Sequence, residues 1–115
     1  MMRVLFRVLH PSGNARTVEF ALPDKPSLAA VRAIVEPHLD GGVAERVRIL
    51  KPGDDDKVVD LFIDEAHRWK RLPRNIEATR LYRRAWMVEH PDDDAEKLAF
   101  ICGPAVVADR QLLLD

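Results

Sequence analysis

"RVLFRVLHPSGNARTVEFALP", residues 3–23, decides the fold. Its first half alternates, with Val4, Phe6 and Val8 on one side and Arg3, Leu5, Arg7 and Leu9 on the other. A period of two with one apolar side marks a strand that buries a single face. The second half alternates again, with Val18, Phe20 and Leu22 on one side and Thr17, Glu19 and Ala21 on the other. Between them, "PSGN" (11–14) is turn chemistry: Pro11 presets the entry, and Gly13 and Asn14 tolerate positive φ. Two strands joined this closely pair antiparallel, so the chain opens with a hairpin.

The period then changes. In "PSLAAVRAIVEPHL" (26–39), Leu28, Val31, Val35 and Leu39 share a helical stripe, with Ile34 beside them. Ser27 is placed to cap this helix, and Pro37 to end or kink it. The pattern predicts a helix over 27–36 packed on the hairpin, burying Leu28, Val31 and Val35. After the glycine pair at 41–42, "RVRIL" (46–50) alternates Val47 and Ile49 inward with Arg46 and Arg48 outward. "KPGDDDK" (51–57) reads as a polar turn and "VVDLFIDE" (58–65) as the partner strand. A second helix is expected from Asn75 to Glu89, with start signals at Pro73 and Asn75 and a stop at Pro91. "PDDDAEK" (91–97) reads as a solvated loop. "LAFICGPAVVA" (98–108) reads as a last strand, with a bulge, bend or sheet edge at Gly103-Pro104, because proline has no N–H for a ladder. The expected fold is α+β: one domain over residues 1–115, in the order ββαββαβ, with a mixed sheet of about five strands and two helices.

Composition sets outer bounds on function. The chain is 47% hydrophobic and 32% charged, a globular balance, and no apolar run approaches the ~20 residues of a membrane span. The start reads as a strand and not as a signal peptide. Cys102 stands alone, which excludes an internal disulfide and a cysteine metal cluster and favours a reducing, cytoplasmic setting. The net charge of −1 hides alternating blocks: +3 over 1–53, −5 over 54–65, +5 over 66–90 and −4 over 91–115. A generally cationic nucleic-acid binder is not built this way. Pairing of the blocks within one molecule is one explanation; a partner surface is another.

Two resemblances follow from these residues. The opening ββαβ order over 3–50 resembles the start of a β-grasp, or ubiquitin-like, domain, a fold that hosts unrelated functions. "DLFIDE" (60–65), "LPRNIEATRLY" (72–82) and the late "GPAV" (103–106) resemble a small uncharacterised family of phages, other mobile elements and actinobacteria. Its L-P-x-N-x-x-A-T-x-[IL]-Y signature matches here at Leu72, Pro73, Asn75, Ala78, Thr79, Leu81 and Tyr82. That resemblance implies a genomic setting and no activity.

The candidate binding residues lie in the basic block. At 100° per residue, Ala78, Leu81, Tyr82, Ala85 and Val88 share the side of the second helix that faces the sheet. Arg80, Arg83, Arg84, Ile76 and Met87 lie opposite, with Trp86 on the flank. The loop "HRWKRLPR" (67–74) adds Arg68, Lys70, Arg71 and Arg74 around Trp69. Trp69 is either a cover over the core or a contact residue. His10, His38, His67 and His90 show no metal-ligand spacing and read as surface or turn residues. The acid runs at 54–56 and 92–94 lack the pattern of a calcium loop. No catalytic residues, metal or cofactor are expected. The sequence therefore favours a non-enzymatic protein-interaction module with an unidentified protein partner, of which an anti-defence inhibitor is one concrete form. The alternative is a nucleic-acid-binding accessory protein using the same arginines. Nothing in the sequence sets the oligomeric state.

Overall fold

A computed structural model describes residues 1–113 of the chain. The opening hairpin is β1 (Met2–Leu9) and β2 (Ala15–Leu22), paired antiparallel with Met2 opposite Leu22 and Leu9 opposite Ala15. Helix α1 (Leu28–Val35) follows, its first turn capped by the Ser27 hydroxyl, which accepts from the Ala30 N–H. At Pro37 the helix tightens into a 3-10 turn, Glu36–Leu39. A second hairpin, β3 (Ala44–Lys51) and β4 (Asp54–Asp64), leads to α2 (Ile76–Glu89), a short 3-10 turn (Ala95–Lys97) and β5 (Ala105–Ala108). The fold is α+β in the expected order. Its radius of gyration is 13.7 Å, near the ~13 Å of a single domain of about this size.

Strand order in the sheet is β2-β1-β5-β4-β3, and every pairing is antiparallel. The expected mixed sheet is therefore corrected. After β4 the chain crosses back through α2 and returns through 90–104, so β5 starts where β4 ended, with Ala105 beside Ile63. Strand β3 returns at the far edge, away from the first hairpin.

Alternation along the central strands sorts two cores. Val4, Phe6, Val8, Phe62, Val106 and Ala108 pack with Val31, Val35 and Leu39 of the α1 segment. Ile49, Leu61, Ile63, Ala105 and Val107 pack with Ala78 and Leu81 of α2. The two helices thus cover opposite faces. Leu28 is 46% exposed, contrary to its place on the stripe, because it stands at the first turn beside an open groove. The polar turn expected over 51–57 is only Pro52 and Gly53. Gly53 takes φ +83, and Asp54 to Lys57 already extend β4.

The signature residues are joints. Asn75, 1% exposed, caps α2 through Oδ1, which accepts from the Ala78 N–H. Its Nδ2 donates to the carbonyls of Leu9 (3.0 Å) and Gly103 (2.9 Å). Thr79 Oγ1 donates to the Asn75 carbonyl and accepts from the Ile101 N–H. Gly103, at φ +81, lies where a Cβ would stand 2.6 Å from Leu72 Cδ1. The expected strand over 98–108 accordingly shortens to its last four residues, with 98–104 tied to the start of α2 instead. Asp60, fully buried, accepts the N–H groups of Leu112 and Leu113 and so holds the C-terminal segment on the sheet.

Candidate interaction surface

The loop after β4 is built on Asp64. This carboxylate is buried, accepts from the Ala66 N–H (2.9 Å) and binds Lys70 Nζ at 2.6 Å. Burial pushes its pKa up, but the Lys70 and Ala66 hydrogen bonds and the charges of Lys70 and His67 outweigh that and hold it below the ordinary value. His67 lies in the turn after β4, one of the two expected settings, but folds inward and not to the surface. Its Nδ1 accepts from the Cys102 N–H at 3.0 Å, which requires an unprotonated nitrogen. Burial, then the charge of Arg68, lowers its pKa against the pull of Glu45 and Asp64. Pinned at both residues, the loop turns Trp69 outward. The indole is 88% exposed, so it is not a cover over the core. Arg68 and Arg71 are exposed beside it in the chain, and Arg71 holds a positive φ of 53°.

The arginines of α2 and its approach are placed differently. Arg83 does not lie on an open outer face. Its side chain is 15% exposed, its guanidinium stands 4.6 Å from the centre of the Phe100 ring, and Nη2 donates to the Leu98 carbonyl at 2.9 Å. Arg74 also stacks on Phe100, at 4.0 Å. Arg83 pairs with Glu96 at 3.7 Å, Arg80 with Glu77 at 3.2 Å, and Arg84 with Asp55. Trp86 Nε1 donates to Asp93 at 2.8 Å, and its ring stacks on His90. Acidic blocks thus lie against the basic helix on both sides. Met87 is half-buried, while Val88, expected on the sheet side, is 64% exposed at the last turn beside a groove lined by Leu50 and Val58.

Trp69 and Arg68 border a cleft of about 250 Å³ on the α2 side of the sheet. Its apolar lining comes from Val47, Ile63 and Ile101. Tyr82 adds a second aromatic ring, and Glu45 and Glu65 add two carboxylates. His67 completes its polar lining. Of these, the sequence offered only Trp69 and Arg68 as binding residues. Glu45 and Glu65 lie 20 residues apart on different elements, and no spacing in the sequence brings them together. Among the described residues, no group of His, Cys, Asp and Glu is placed to hold a metal ion. No helix of the described residues is long and apolar enough to cross a membrane. No family model, curated protein or solved structure matches the chain.

Proposed function

We propose that the chain is a non-enzymatic protein-interaction module whose contact surface centres on Trp69 and the 66–74 loop. The observation that carries this reading is a tryptophan 88% exposed on a loop anchored from below by Asp64 and His67. Tryptophan and arginine are enriched among the residues that dominate binding energy at protein interfaces. An anchored loop also loses less conformational freedom on binding than a mobile one. The charge arrangement supports a protein partner over a nucleic acid. A nucleic-acid binder must turn its carboxylates away from the phosphates, whereas Asp55, Asp93 and Glu96 lie against α2 and occupy Arg84, Trp86 and Arg83. The phage and mobile-element setting implied by the signature would make the partner a host or viral protein, with inhibition of a defence system as the concrete form.

The test compares wild-type protein with Trp69→Ala as bait in host lysate, followed by mass spectrometry. A protein captured by the wild type and lost with the variant supports the reading. Equal capture by both refutes it for that partner. Tight binding to duplex DNA, with log K falling against log salt by about 0.9 per phosphate contacted, would favour nucleic acid instead.

A further inference from the structure

We propose that the cleft beside Trp69 receives a basic side chain, lysine or arginine, of the partner protein. This rests on the protein-interaction reading and gives that partner a chemistry. The lining carries two carboxylates, Glu45 and Glu65, both exposed and neither in an ion pair among the described residues. Arg68 is the one permanent cation on the lining, at an exposed loop position. His67 is neutral where its Nδ1 accepts the Cys102 N–H, so the cleft carries a net negative charge. Trp69 and Tyr82 supply ring faces, which attract cations through their quadrupoles. Val47, Ile63 and Ile101 give apolar contact for the methylene stem that lysine and arginine carry behind their charge. At about 250 Å³ the space is below the ~300–1,000 Å³ of pockets that take drug-sized ligands, and suits one side chain.

The experiment titrates the protein with N-acetyl-arginine amide and, separately, with N-acetyl-glutamate amide. Nuclear magnetic resonance follows the Trp69 indole N–H and the backbone amides of Glu45, Val47 and Ile101. The arginine probe is expected to shift these signals saturably, and the glutamate probe to leave them in place. The double variant Glu45→Gln/Glu65→Gln, at two exposed positions, is expected to keep the fold and weaken the arginine probe at least tenfold. Equal response to both probes, no response to arginine, or undiminished affinity in the double variant overturns the proposal. The protein-module reading is decided separately by Trp69→Ala. A partner that needs Trp69 but ignores both glutamates would leave that reading standing while this one falls.

Discussion

Asn75 separates a structural signature from a functional one, and it does so with two substitutions. Its side chain makes three hydrogen bonds in a site that is 1% exposed: Oδ1 accepts from the Ala78 N–H at 3.1 Å, and Nδ2 donates to the carbonyls of Leu9 and Gly103. Asn75→Ala removes all three. Loss of a helix cap costs about 1 kcal/mol. Depriving buried carbonyls of their donor adds about 1–3 kcal/mol. The total expected is about 2–4 kcal/mol. Asn75→Asp is the sharper change, because aspartate caps helices as well as asparagine does. If capping were the whole role, Asp would be neutral. In this site it would aim a carboxylate oxygen at two carbonyl oxygens, so it should cost at least as much as Ala. Urea unfolding followed by circular dichroism and by tryptophan fluorescence reads both variants, with a constant m-value as the check on two-state behaviour. An Asn75→Asp protein within about 0.5 kcal/mol of wild type, inside the range of a neutral surface change, would refute this account of the joint.

Three further outcomes follow from named contacts. Arg83→Glu should cost about 2–3 kcal/mol, since it removes the Phe100 stack and the bond to the Leu98 carbonyl and faces Glu96 with a like charge. Arg80→Glu, at a side chain 70% exposed, should change stability by under about 1 kcal/mol; similar midpoints for the two variants in urea would contradict the placement of Arg83. Gly42→Ala should cost about 1–3 kcal/mol by overpacking, because a Cβ there would stand 2.3 Å from Asp64 Cγ and push the carboxylate off Lys70; loss of the slowed amide exchange of Ala66 is the local readout. Stability should also respond to pH through His67. Its folded pKa lies below 6.5, so the unfolded chain takes the proton more readily; the His67 contribution is whole above about pH 6.5 and is lost as pH falls from there through the folded value. A urea midpoint flat between pH 7.5 and 5, or one rising toward acid, would show that His67 is not held neutral. Asp64, with its pKa below 3.8, adds a second loss only in stronger acid, as pH falls through its folded value.

Local pattern made much of this fold legible. The hairpin at "PSGN", the Ser27 and Asn75 caps and the α2 stripe from Ala78 to Ala85 all depend on neighbours within a few residues, and all lie where the pattern places them. Sheet direction does not depend on neighbours alone. Whether β5 runs with or against β4 is set by where the 90–104 segment brings the chain back, and its anchors are contacts of Asn75 and Thr79 across 22 to 28 residues. Arg83 shows the limit of a helical wheel. The wheel fixes the direction of Cβ, but an arginine reaches several ångströms further, and Phe100 and the Leu98 carbonyl were waiting on that side. Trp69 left two readings open because an aperiodic loop carries no face; its anchors at Asp64 and Lys70 turn it outward, which removes the reading as a cover over the core. The Glu45–Glu65 cleft had no signal in the sequence, since it is assembled from a strand, a loop and a helix.

The alternation of charge blocks takes on a definite meaning from these contacts. Asp55 in the −5 block reaches Arg84, and Glu96 in the −4 block reaches Arg83, so both acidic blocks flank the +5 block in space as well as in sequence. Exposed pairs of this kind add little stability each, about 0–1 kcal/mol. Their larger effect is on recognition. Arginines already facing carboxylates make a weak field for a polyanion, because each phosphate approaching them also approaches a fixed negative charge. Arg68 and Arg71 form no such pair among the described residues and sit next to the most exposed aromatic ring of the chain. Charge neutralised along α2 and exposed arginines around Trp69 are two sides of one arrangement, and under the proposed function the helix serves as scaffold and the loop as the contact.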